Sequence, residues 1–280
     1  MNRFDAPDGR SLVFDDEGPK EALPVLCLAG LSRDARDFAA LAAHLVPRYR
    51  VIRLDARGRG RSAHAEDPMA EYTVPVEVGD IVALLDHLNI PKAAVVGTSR
   101  GGIQAMVMAA MAKDRLAGVV LNDIGPGIER DGLEAIMVYL GRDPGAETMA
   151  EGAAALKKSL ASQYPDFEEA DWLAMAEQTY LIRDGRPVLS YDASLREPSV
   201  ASFTAEKQPD LWPLFDMLEG VPLACIRGAL SYLFTAETLE EMMRRRPDMM
   251  TVTLDNRGHI PLLDEPPAVA LIDRFLESLS

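Results

Sequence analysis

Two residues of this 280-residue sequence have neighbours that could make them reactive. Ser99 lies in Gly97-Thr98-Ser99-Arg100-Gly101, between an apolar run at 93–96 and an Ala- and Met-rich run at 103–112. Strand, sharp turn and helix are the context in which a G-x-S-x-G pattern lifts a serine hydroxyl clear of a sheet. Gly97 and Gly101 flank Ser99 where a tight bend leaves no room for side chains, and Gly102 lets the helix start close to the sheet. The N-terminus of that helix favours developing negative charge. His259 lies in Asn256-Arg257-Gly258-His259-Ile260-Pro261, just past the last strand-like run. A serine with a histidine as its general base is the chemistry of nucleophilic acyl transfer. The other histidines have duller settings: His44 and His87 in helical runs, His64 in a polar loop.

The elements that must position these two residues follow from apolar runs and turn signals. Pro7-Asp8-Gly9 separates strands at 3–6 and 11–15 as a hairpin. Further strands are predicted at 23–28, 51–54, 93–96, 116–121, 221–226 and 250–254, with helical periodicity from Phe38 and at 76–88, 103–112, 237–245 and 268–279. Strands separated by helices predict an α/β fold, a mostly parallel eight-stranded sheet flanked by helices, with ligands at the carboxyl ends of its strands. From 127 to 209 strand-like runs nearly vanish and helical spacing dominates, at 133–140, 149–163 and 171–181. That stretch is too long for a loop inside a compact domain. It predicts a helical cap at 127–209 inserted between core segments 1–126 and 210–280. Asp55-Ala56-Arg57-Gly58-Arg59-Gly60-Arg61-Ser62 has the glycines and arginines of a phosphate cradle but the spacing of neither a P-loop nor G-x-G-x-x-G, and reads as a structured loop.

Composition narrows the partners. A hydrophobic fraction of 48% with 26% charged residues is that of a globular protein, and the net charge of −15 argues against nucleic acid or anionic membranes. The N-terminus has no signal-peptide core and no run is long enough to span a membrane, which predicts a cytoplasmic protein with a small-molecule substrate. Cys27 and Cys225, in separate apolar runs, read as buried thiols, not as a disulfide or metal site. No metal or organic cofactor is called for. The sequence sets no oligomeric state.

Four stretches together resemble the α/β-hydrolase fold superfamily: Leu28-Ala29-Gly30-Leu31, the loop Asp55 to Ser62, the turn at Ser99, and Gly258-His259-Ile260-Pro261-Leu262-Leu263-Asp264-Glu265-Pro266. The lidded esterases, lactonases and carbon–carbon bond hydrolases look closest. The resemblance implies that the backbone N–H groups of Leu31 and Arg100 form an oxyanion hole. Many relatives have histidine where this chain has Ala29, a difference that backbone donors tolerate. It further implies an acid in the segment 227–234, where the expected position holds Tyr232. A neutral phenol supplies no charge to a histidine, so a weakened triad is expected. An acid from the end of the sixth strand is the alternative. Aligned on Pro126 that position holds Asn122, and strand alternation turns Asp123 to the other face, so that only a distorted loop would let Asp123 reach His259 as the substitute acid. Glu237 reads as a first-turn helix charge and Asp255 as a solvated strand end.

The expected activity is that of a serine hydrolase cleaving a small carboxylic ester or lactone through an acyl-enzyme. The rivals are a carbon–carbon bond hydrolase of ring-cleavage products and a non-catalytic ligand-binding relative. The Arg100 side chain is expected to point into surrounding structure, and Arg33 is the better candidate to meet an acidic substrate. Met106, Met108 and Met111 read as core; Tyr191 and Trp172 read as pocket or lid packing.

Overall fold

Short apolar runs alternate with amphipathic helices along the chain, and in the computed structural model, which describes residues 2–205 and 209–279, eight of these runs pair into one sheet. In chain order the strands are β1 (Asn2–Asp5), β2 (Ser11–Glu17), β3 (Pro24–Leu28), β4 (Arg50–Asp55), β5 (Ala93–Thr98), β6 (Leu116–Asn122), β7 (Tyr180–Arg183), β8 (Arg186–Leu189), β9 (Leu223–Gly228) and β10 (Met250–Leu254). The large sheet runs β1-β2-β4-β3-β5-β6-β9-β10. β2 is antiparallel to both β1 and β4, and every other pairing is parallel.

The parallel strands are buried on both faces, and alternation divides their side chains between two cores. In β3, Leu26 and Leu28 pack with Val95, Val119, Leu121 and Met106. Val25 and Cys27 face the other way, with Val96, Val120, Ile226 and Phe275. The helices are α1 (Ala39–Leu45), α2 (Pro68–Glu71), α3 (Val74–His87), α4 (Arg100–Met111), α5 (Arg130–Tyr139), α6 (Met149–Leu160), α7 (Glu169–Thr179), α8 (Arg196–Thr204), α9 (Trp212–Asp216), α10 (Ala236–Arg245) and α11 (Pro266–Glu277). Met106 and Met108 are fully buried as expected of core residues. Met111, the last residue of α4, is instead 53% exposed.

Between β6 and β9 the chain leaves the sheet, and helices α5 to α8 dominate this stretch. Two differences from the sequence expectation stand out. The run read as helix at 171–181 ends at Thr179, and β7 and β8 then form an antiparallel hairpin. Its turn is Asp184-Gly185, both with positive φ (51° and 80°), the backbone that a tight hairpin demands. The last residues before 209 in that predicted segment, 206–208, lie outside the described residues.

The register places the site. Leu28 is level with Gly97 and Thr98 with Asn122, so β3, β5 and β6 end together at one edge. Leu254 is level with Gly228, which brings the loop after β10 to the same edge. Among the described residues no helix is long and apolar enough to cross a membrane.

Candidate active site

β5 ends at Thr98, and Ser99 takes φ 50°, ψ −112° before α4 begins at Arg100. A non-glycine residue there is strained by about 1–3 kcal/mol and persists only because its surroundings over-determine it. The surroundings are tight. A side chain on Gly97 would meet the backbone of Gly101 and Gly102, and one on Gly101 would meet the Leu28 carbonyl. A side chain on Gly102 would strike Ile124. The bend therefore needs glycine on both sides of the serine, and α4 starts against the sheet.

The imidazole of His259 faces this hydroxyl, with Nε2 3.0 Å from Ser99 Oγ. Its Nδ1 lies 2.7 Å from Oδ2 of Asp123. Asp123 is fully buried, and its carboxylate also accepts from the Gly228 N–H (2.8 Å) and the Ser231 hydroxyl (2.6 Å). An acceptor held by three donors keeps the carboxylate in one position, and with Nδ1 as the proton donor to Asp123, Nε2 is free to accept from the serine.

This corrects the expectation that Tyr232 leaves the histidine without an acid. Tyr232 lines the cavity beside the imidazole, its ring centroid 6.4 Å from that of His259, while the carboxylate comes from Asp123. Strand alternation fails here because β6 stops at Asn122. Asp123, one residue further, has φ 52° and swings back to the histidine side. Asn122 reaches the same loop, its Nδ2 donating to the Pro261 carbonyl and to Thr98 Oγ1, both at 3.0 Å. Burial pushes the Tyr232 phenol above its ordinary pKa, which keeps it neutral.

Two residues that no sequence motif marked hold the histidine loop from the inserted segment. Gln163 accepts the His259 N–H at 2.8 Å. The Tyr164 hydroxyl donates to the Ile260 carbonyl and accepts the Ile260 N–H, each at 2.8 Å. Trp172 packs on Tyr164 and Phe167 and is 1% exposed, which makes it interior packing of the insertion.

A cavity of about 390 Å³ opens on Ser99 and His259. The strand-end loops form its floor with Leu31, Arg33 and Pro261, and the inserted segment supplies Ile136, Tyr139, Leu160, Met175 and Tyr191. Arg33, expected to be able to meet an acidic substrate, lines this cavity but spends its guanidinium on Asp37 (2.6 Å) and Thr179. The Arg100 side chain turns away, Nε donating to Glu77 at 2.8 Å and Nη2 to the Tyr72 carbonyl at 3.1 Å. Its N–H, first in α4, has no acceptor within its own helix. Leu31 is in the turn Gly30 to Arg33, closed by the Arg33 N–H on the Gly30 carbonyl. Because a trans peptide points its N–H opposite its carbonyl, the Leu31 N–H faces out of that turn.

The arginines of the loop 55–62 are spent on carboxylates. Arg57 binds Asp80 and Asp8, Arg59 binds Glu77, and Arg61 binds Asp55 and Asp15. That pairing is the structured loop expected of the segment. Cys27 and Cys225 are buried thiols, and burial lifts the Cys27 thiol to about 12. Among the described residues no group of three or more metal-ligating side chains converges.

A serine on a strained strand–helix turn, a histidine after the last strand and an eight-stranded, mostly parallel sheet define an α/β-hydrolase. The chain belongs to the alpha/beta hydrolase fold family, whose model matches residues 24–266. It is 41% identical to an alpha/beta hydrolase from Novosphingobium aromaticivorans of known structure, with a TM-score of 0.93 over 99% of this chain and 97% of that one. It is 32% identical to a 3-hydroxybutyrate-oligomer hydrolase of Cupriavidus necator over 92% of this chain and 89% of the relative. It is 29% identical to a 2-(acetamidomethylene)succinate hydrolase of Mesorhizobium japonicum, over 84% and 81% of the two chains. The protein is thus an enzyme, an α/β-hydrolase of the carboxylic-ester-hydrolase kind.

Proposed function

We propose that Ser99, His259 and Asp123 act as a catalytic triad that cleaves a small carboxylic ester or lactone through an acyl-enzyme. The observation that carries this reading is the unbroken line of hydrogen bonds from Asp123 through His259 to Ser99, whose hydroxyl lines the cavity. Ser99 Oγ attacks the carbonyl carbon as its proton passes to His259 Nε2. Asp123 stabilises the imidazolium so formed, and the N–H groups of Leu31 and Arg100 hold the oxyanion. The proton then goes to the leaving oxygen and the alcohol departs. Water, deprotonated by the same nitrogen, attacks the acyl-enzyme and restores Ser99. None of these steps calls on a metal or a cofactor. The segment 127–209 serves as a cap whose residues select the substrate.

The relative from Cupriavidus necator makes short 3-hydroxybutyrate oligomers the first compounds to assay. A fluorophosphonate probe tests the mechanism. Wild-type protein should be labelled at one serine, and Ser99→Ala should lose both labelling and turnover, the latter by about 10⁶ as is typical of a removed triad nucleophile. Labelling that persists in Ser99→Ala would refute the assignment. Hydrolysis confined to vinylogous diketones, with esters and lactones untouched, would move the substrate to the carbon–carbon class.

A further inference from the structure

The two N–H groups assigned to the oxyanion hole sit on separate pieces of chain. Leu31 follows β3 and Arg100 opens α4, and the last ladder pair between β3 and β5 is Leu28 with Gly97. Beyond that pair no sheet hydrogen bond sets their separation, although an oxyanion site works only if both donors meet one oxygen.

A buried side-chain path joins them. Arg59 Nε donates to the Leu31 carbonyl at 2.9 Å, and Arg59 Nη1 donates to Glu77 Oε1 at 2.7 Å. The other carboxylate oxygen, Oε2, accepts from Arg100 Nε and from Gln104 Nε2, both at 2.8 Å. Gln104 is one turn beyond Arg100, so Glu77 grips the start of α4 at two points while, through Arg59, it fixes the Leu31 carbonyl, which shares its Cα with the peptide that carries the Leu31 N–H. Glu77, Arg59 and Gln104 are at most 3% exposed. Burial works against the Glu77 charge, but Arg100 and Arg59 overcome it and hold the carboxyl down at about 2. Buried ion pairs of this kind seldom exceed apolar packing of equal volume in net stability, so stability alone does not account for three charged groups here.

We infer that Glu77 is a positioning residue for the oxyanion hole, setting the distance between the Leu31 and Arg100 N–H groups through the Arg59–Glu77–Arg100 path. The inference rests on the serine-hydrolase reading above. Charge and position make opposite predictions for Glu77→Gln. Removing the negative charge leaves two guanidiniums behind the hole and should favour an oxyanion. Loosening the grip on two loops should harm it, and misplacement of about an ångström can lower a rate about 10²-fold.

The experiment compares wild type with Glu77→Gln, and with Arg100→Met, which keeps its backbone N–H and loses the anchor. Three readouts are taken: kcat and KM on an activated ester, inhibition by an alkyl trifluoromethyl ketone, and binding of the product acid. The expected result is a fall in kcat of about 10- to 100-fold with KM nearly constant, matched by an equal loss of ketone affinity and unchanged product binding. The ketone forms the tetrahedral adduct and so reports the hole directly. Should Glu77→Gln fail to fold, the same pattern in Arg100→Met decides. Unchanged or improved turnover, a rise in KM alone, or a fall in kcat without loss of ketone affinity would overturn the inference. Wild type that resists fluorophosphonate at Ser99 would instead overturn the reading beneath it.

Discussion

At the scale of single residues, the site turns on one side chain beyond the end of a strand. The Asp123 carboxylate is held by Gly228, Ser231 and His259 and is fully buried. Replacing it with a neutral amide keeps the shape and removes the charge that stabilises the imidazolium; a comparable change in a serine protease lowers turnover about 10⁴-fold. Asp123→Asn should therefore lower kcat by about that factor with a far smaller effect on KM, and Tyr232→Asp should not raise the turnover of the parent. Steady-state kinetics on one activated ester checks both. A large gain from Tyr232→Asp with little loss from Asp123→Asn would return the acid role to position 232. Ser99 and His259 were legible because glycine spacing and chain order constrain them strongly. Asp123 was legible only as the acid that a distorted loop would supply, because alternation is a property of residues inside a strand and its positive φ lies just outside one. Gln163 and Tyr164 carry no spacing signal at all, since their partners lie 96 residues away.

At the scale of elements, the buried parallel strands could be read almost to their ends, because apolar runs bounded by turns have few other homes in a chain of this kind. The hairpin β7–β8 escaped because its strands are four residues each and partly exposed, without a run long enough to register. Asp184-Gly185 was the signal that could have found it. The segment between β6 and β9 lines the cavity, and its turn at Gln163 and Tyr164 also holds the loop that carries His259. Tyr164→Phe keeps the ring against Trp172 and Phe167 but leaves the Ile260 N–H and carbonyl without their partner. A buried group stripped of its hydrogen bond costs about 1–3 kcal/mol. The variant should show a lower denaturant midpoint in that range with an unchanged slope, together with reduced kcat as the histidine loop loosens. Stability and turnover both equal to the parent's would show that the segment covers the histidine without holding it.

At the scale of the whole molecule, the −15 charge conceals a cationic framework turned inward. Arg57 and Arg59 are 1% and 2% exposed; Asp80 and Glu77, which pair with them, lie in α3, and Asp8, which also binds Arg57, lies between β1 and β2, all out of sight of any local pattern in the sequence. Such pairs make stability depend on pH in a direction that can be worked out. Burial raises the Glu77 carboxyl, but Arg100 and Arg59 outweigh it and bring it from 4.5 down to about 2. A carboxyl whose folded pKa lies below its unfolded one adds stability that is present above the unfolded value and is lost as pH falls toward the folded one. Asp15 and Asp16, where arginines outweigh burial, act in the same sense. Asp37 and Asp80 act in the opposite one, since burial wins and raises them, so each favours the folded state more as it takes up a proton. Near neutrality the acids held down by arginines are ionised in both states, so their share of the stability should change little with pH there. The denaturant midpoint should hold between about pH 7 and 5 and fall steadily below about 4.5. Glu77→Gln should be less stable than the parent at neutral pH and lose less on acidification, so the two curves converge toward pH 2. Parallel curves across that window would show that Glu77 has no depressed titration to lose, and that the path joining Leu31 to Arg100 is not held by its charge.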